Sequence, residues 1–142
     1  MSVVFPDARQ ALGTGIGDLR PMERTISIID DDESVREAIR SLLVSTGHHV
    51  QVFASAEDFL STPSHERTRC LIADVNMPGM TGLALHRHLT ELGRRIPTIL
   101  ITAFPDDHGR ELARKTGVVG YLVKPFHETD LLELISLALG KN

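Results

Sequence analysis

Three short apolar runs in this chain end in charge. Ile26-Ser27-Ile28-Ile29 runs into Asp30-Asp31, Cys70-Leu71-Ile72-Ala73 into Asp74, and Val118-Val119-Gly120-Tyr121-Leu122-Val123 into Lys124. A run of Ile and Val with no polar alternation reads as a strand buried on both faces. Such strands belong to parallel sheets covered by helices, and open sheets of this kind place their chemistry at the carboxyl ends of the strands. Three acids converging with one lysine suit a hard divalent cation and a phosphoryl group.

The rest of the pattern alternates accordingly. A strand over about 25–30 is followed by a helix with Val35, Ile39, Leu42 and Leu43 at helical spacing and a stop at Gly47. Val50-Gln51-Val52-Phe53 reads as a second strand. Ser55-Ala56-Glu57-Asp58 resembles a capping box, with Asp in place of Glu, opening a short helix. A third strand covers about 69–74, and Thr81 caps a helix with Leu85, Leu89 and Leu92 on its face. Pro97 precedes a strand from Thr98 to Thr102, a helix spans about 106–116, and the last strand, 118–123, leads to a helix over about 128–139. That last helix turns Leu131, Leu134, Ile135 and Ala138 inward. Five strand–helix units predict an α/β fold with a parallel sheet and helices on both faces.

The chain of 142 residues fits one domain. Residues 1–23 stand apart, because Pro6, Pro21 and the run Gly13-Thr14-Gly15-Ile16-Gly17 break any periodicity. They are expected to form a flexible arm that folding does not need, with the domain at 24–140. The glycine run neither follows a strand nor opens a helix, so it does not read as a phosphate loop. A net charge of -4 and a pI near 5.9 argue against direct nucleic-acid binding. No stretch has the length or apolarity of a membrane span or a secretion signal. The single cysteine, Cys70, falls in a buried strand, cannot form an internal disulfide, and fits a reducing cytoplasm.

Carboxylates crowded at one sheet edge repel and raise one another's pKa, a conflict that a divalent cation removes. Mg²⁺ takes few carboxylates and retains waters and phosphate oxygens. One carboxylate is then free to attack phosphorus, Lys124 neutralises the transferred group, and the Thr102 hydroxyl reaches a phosphoryl oxygen.

Four motifs in order, Ile29-Asp30-Asp31, Asp74-Val75-Asn76-Met77-Pro78-Gly79, Ile101-Thr102-Ala103 and Tyr121-Leu122-Val123-Lys124-Pro125-Phe126, resemble the receiver domain of two-component response regulators. The likeness covers about residues 24–140 and is nearest to receivers of the nitrogen-fixation regulator type. It implies a flavodoxin-like, doubly wound sheet of five parallel strands in the order 2-1-3-4-5, a strand order already associated with the chemotaxis response regulator. It also implies that Asp74 accepts a phosphoryl group from a phosphohistidine. In that resemblance Asp31 and Asp74 bind Mg²⁺ by side chain, Asn76 by its backbone carbonyl, and Asp30 through a water. Lys124 contacts the phosphoryl group, Thr102 and Tyr121 form the switch pair, and Lys124–Pro125 is cis.

The implied partners are a sensor histidine kinase or histidine phosphotransfer protein and a downstream protein target, in the cytoplasm. Nucleic-acid contact and membrane insertion are not implied. Self-phosphorylation and self-dephosphorylation are the only expected reactions, so the chain is not read as an enzyme, and no output domain is read in it. Leu132 and Leu139 lie off the main stripe of the last helix and mark either a homodimer or partner surface or more core.

Other readings of single features differ. Asp32 and Glu33 read as acids at a helix N-terminus, not ligands. The seven histidines form no site and read as surface residues, His86 and His88 included. Gly109 and a thin apolar face of Leu112 and Ala113 make the fourth helix the most weakly held. Asp30-Asp31-Asp32 resembles the nucleophile motif of haloacid-dehalogenase-like phosphatases, with Asp30 attacking, but that leaves Asp74 and its Met-Pro-Gly loop unexplained. A receiver-like binding module that works without phosphorylation is the third reading.

Overall fold

The computed structural model describes residues 2–4 and 25–140. Its strands are β1 (Ser2–Val4), β2 (Thr25–Ile29), β3 (Val50–Phe53), β4 (Thr68–Asp74), β5 (Thr98–Thr102) and β6 (Gly120–Val123). Its helices are α1 (Glu33–Ser45), α2 (Ala56–Ser61), α3 (Gly82–Glu91), α4 (Asp107–Thr116) and α5 (Glu128–Ala138), with a 3-10 turn at Pro63–Arg67.

Five strands are parallel and lie in the order β3-β2-β4-β5-β6, the order 2-1-3-4-5 expected from the sequence. The central strands are apolar because both faces are covered: β2 and β5 are buried throughout. On one face Ile26, Ile28, Cys70, Ile72, Ile99, Ile101 and Leu122 pack with Ile39 and Leu43 of α1 and with Leu131, Leu134 and Ile135 of α5. On the other, Ile29, Leu71, Ala73, Leu100 and Tyr121 pack with Phe59 of α2, Leu85 and Leu89 of α3 and Ala113 of α4.

The helices begin where short polar side chains stop the backbone N–H groups from going unpaired. Asp32 accepts from Ser34 N–H at 2.9 Å, Ser55 from Asp58 N–H at 3.0 Å and Thr81 from Ala84 N–H at 3.1 Å. Asp32 is thus the N-cap of α1 and Glu33 lies in its first turn, as expected for helix-terminal acids. Gly82 opens α3 against the end of β4. A Cβ there would stand 2.6 Å from the Asp74 carbonyl oxygen, so this close approach requires glycine.

Several expectations change. The sheet has a sixth strand: Ser2–Val4, expected to be part of a flexible arm, pairs antiparallel with β6, with Val3 opposite Tyr121. Residues 5–24, including the glycine run, lie outside the described residues. Leu92, expected on the inner face of α3, is 60% exposed because it follows the last helical turn as its C-cap. Leu139 is buried in the core, and Leu132 is partly buried and packs against it. His86 is not a surface residue but is 7% exposed.

Candidate functional site

The order of the strands brings the ends of β2 and β4 side by side. Asp30 and Asp31 follow β2, Asp74 ends β4, Thr102 ends β5 and Lys124 follows β6. The three carboxylates each offer an oxygen within 4.8 Å of the others. Asp30 and Asp74 are buried, whereas Asp31 is exposed, so the cluster opens to solvent on one side.

Lys124 Nζ lies 3.0 Å from Asp30 Oδ2 and 3.0 Å from Asp74 Oδ2. The remaining oxygens are held by the backbone: Asp32 N–H donates to Asp30 Oδ1 at 2.9 Å, and Asn76 N–H to Asp74 Oδ1 at 2.8 Å. Burial pushes the Asp30 carboxyl above its usual range, against the opposing pull of the Asp32 N–H and Lys124, and the Asp74 charge adds to the rise. For Lys124 burial acts downward, but the hydrogen bonds to Asp30 and Asp74 outweigh it and hold the amine above its usual value. The pocket therefore keeps both signs of charge, with one ammonium shared between two acids.

Thr102 is fully buried and donates its hydroxyl to Asn76 Oδ1, while Phe104 N–H donates to Thr102 Oγ1 at 3.0 Å. Tyr121 is 2% exposed and lies beneath the Arg110 guanidinium, 5.8 Å from the ring centroid. Burial, and then the nearby Asp106 carboxylate, push its phenol up. The Lys124–Pro125 bond is cis, as the resemblance implies.

The structure thus brings Asp30, Asp31, Asp74 and Lys124 together and places Thr102 one strand away, bonded to Asn76. Tyr121 lies farther along, beside α4. The donor set suits a hard cation: carboxylate oxygens, no sulfur or imidazole, and one open side for water.

Three contacts, two beside the pocket and one at the far end of the sheet, have no counterpart in the sequence reading. Arg36 Nη1 donates to the Asp30 carbonyl at 2.7 Å, pinning the β2–α1 turn from the first turn of α1. Glu57 Oε2 accepts from Met80 N–H at 3.2 Å, across 23 residues. His86 joins α3 to Thr98 and to the Thr116 carbonyl. Each partner is backbone or comes from a distant segment, which leaves no periodicity to read.

This fold and pocket are those of a receiver domain, and the chain belongs to the response regulator receiver domain family, whose model matches residues 26–136. It is 42% identical over 126 residues to the response regulator protein TodT of Pseudomonas putida, covering 89% of this chain and 56% of that protein. It is 38% identical over 114 residues to the transcriptional regulatory protein FixJ of Rhizobium meliloti, covering 80% of this chain and 56% of that protein. The chain therefore spans about half the length of these curated relatives. Among solved structures, a crystal structure of FixJ-N matches with a TM-score of 0.74 at 36% identity, covering 82% of this chain and 94% of that one. The response regulator StyR matches with a TM-score of 0.76 at 41% identity, covering 82% and 59%.

Proposed function

We propose that Asp74 accepts a phosphoryl group from the phosphohistidine of a sensor histidine kinase or histidine phosphotransfer protein. A carboxylate oxygen of Asp74 bonds to phosphorus as the P–N bond breaks, and the departing imidazole nitrogen takes up a proton. The observation that carries this reading is the Lys124 amine set 3.0 Å from both Asp30 and Asp74, with Asp31 at the same cluster. One ammonium is already placed to meet charge arriving on Asp74.

Asp31 and Asp74 would hold Mg²⁺ by side chain, Asn76 by its carbonyl and Asp30 through a water. The cation would neutralise charge on the phosphoryl oxygens. Asp30 and Asp31 set the negative charge that draws the cation in, and Lys124 orients the acceptor. Thr102 exchanges its Asn76 partner for a phosphoryl oxygen. Tyr121, already inward on the neighbouring strand, would be secured by that exchange. Phosphorylation adds about -1.5 to -2 charges, and the resulting surface change serves phosphorelay or a downstream protein. The chain turns over no separate substrate, and it works in the cytoplasm, where the phosphohistidine donor meets it.

Acetyl phosphate with Mg²⁺, followed by mass spectrometric mapping, tests the assignment. Label on Asp74, lost in Asp74→Asn and on chelation of Mg²⁺, is expected. Label on Asp30 with turnover of phosphate esters would instead establish the phosphatase reading. Partner binding unaltered by Asp74→Ala and by Mg²⁺ removal would establish the phosphorylation-independent one.

A further inference from the structure

We propose that Glu57 is a positioning residue for the cation pocket, acting through the β4–α3 loop. The inference rests on the receiver reading above and deepens it.

Glu57 lies in the first turn of α2, on the strand–helix unit that flanks β2 on the side away from β4. Its side chain reaches back over the end of β2 to the loop that follows Asp74. There Glu57 Oε2 accepts the Met80 N–H at 3.2 Å. The same oxygen lies 3.0 Å from the point a Cβ on Gly79 would occupy, and Gly79 adopts φ +75°. Gly79 thus provides both the left-handed turn and the room for the carboxylate. An apolar contact set supports the reach, since Ala56 and Phe59 of α2 share the core cluster that holds Met77 of the loop.

The loop from Val75 to Met80 is consequently fastened at both ends. Asn76 N–H is held by Asp74 Oδ1 at 2.8 Å, and Met80 N–H by Glu57. Asn76 carries the backbone carbonyl assigned to the cation. Fixing the far end of a short loop limits how far that carbonyl can wander, so less ordering remains for the cation to impose. The Glu57 carboxylate is exposed, so its contribution is a modest one.

The test compares wild type with Glu57→Ala and Glu57→Gln. Both substitutions fall on an exposed residue, and circular dichroism verifies the fold. Mg²⁺ affinity is read by calorimetry, and Met80 amide exchange is read without metal. A hydrogen bond of this type corresponds to about a two- to tenfold change in equilibrium. Glu57→Ala is expected to weaken Mg²⁺ binding by that factor and to speed Met80 exchange in the metal-free protein. Glu57→Gln keeps an acceptor oxygen and is expected to restore most of both. Glutamine behaving like alanine would reduce Glu57 to a distant charge and overturn the positioning role. Wild-type affinity and exchange in Glu57→Ala would overturn it as well. Phosphorylation of wild-type Asp74 by acetyl phosphate is read in parallel, so failure of the receiver reading is separable from failure of this one.

Discussion

Replacing His86 by leucine tests how α4 is held. In the wild type the imidazole lies between three elements: its Nδ1 is 2.9 Å from Thr98 Oγ1 at the start of β5, and its Nε2 is 3.0 Å from the carbonyl of Thr116 at the end of α4. A carbonyl only accepts, so Nε2 carries a proton. Thr98 Oγ1 also lies 2.8 Å from the Ile96 carbonyl, so its hydroxyl is satisfied whether Nδ1 is protonated or not. Burial then decides the charge, and it holds the imidazole below its ordinary range, with the Thr116 carbonyl opposing.

Two consequences follow with signs. Leucine removes two hydrogen bonds and leaves the Thr116 carbonyl to water in the pocket lined by Arg87, Thr90 and Glu91. The cost is about 2–3 kcal/mol, equivalent to a fall in Tm of roughly 6–15 °C for a domain of this size. Second, a folded-state pKa below the ordinary value means that the unfolded chain binds the extra proton more readily. Stability is therefore lost as pH falls from about 6.5 towards the folded-state value, with a slope from this one group of at most about 1.4 kcal/mol per pH unit. Urea unfolding of wild type and His86→Leu between pH 5 and pH 8 measures both. A variant as stable as wild type at pH 8, or one with an unchanged pH slope, would refute the account of His86 as a buried, neutral tie.

Two further outcomes are expected at the pocket. Lys124→Met leaves Asp30 and Asp74 facing each other without their shared ammonium, and it should cost about 3 kcal/mol, the low end for a broken buried pair because Lys124 is 18% exposed. Mg²⁺ should raise the Tm of this variant more than that of wild type, as thermal melts with and without the cation would reveal. Asn76→Ala removes the acceptor that now holds the Thr102 hydroxyl. Beryllofluoride should bind this variant about two- to tenfold more tightly, and calorimetric titration showing equal or weaker binding would rule out competition between Asn76 and the phosphoryl site.

The acid–lysine pocket was legible because of where its residues stand. A strand buried on both faces must be written in apolar residues, so the first charge after it marks the sheet edge; Asp30, Asp74 and Lys124 all obey this. Helix starts were legible for the same local reason, as Asp32, Ser55 and Thr81 cap the N–H groups two or three residues on. Contacts with no local signature were not. Glu57 bonds a backbone N–H across 23 residues, and the pairing of Ser2–Val4 with β6 depends on the assembled sheet. His86 carried a faint signal, since it lies between Leu85 and Leu89 and three residues before the latter, within the apolar arc of α3. Leu92 failed in the opposite sense: its spacing continues the stripe, but the helix has already ended.

The pairing of β1 with β6 fixes where a fusion can be attached. Ser2 stands opposite Leu122 and Val4 opposite Gly120, so the chain runs backwards along β6 and Ser2 lies at the end nearest Lys124. A purification tag or fluorescent protein fused ahead of Ser2 would thus start beside the pocket, against the strand that carries Tyr121. Helix α5 runs the other way: it leaves the pocket edge after β6 and ends at Ala138, at the opposite end of the sheet. A reporter placed after Gly140 stands clear of the chemistry. Cys70, sealed in the core with its thiol pushed up to about 12, will not compete with a cysteine introduced there for labelling.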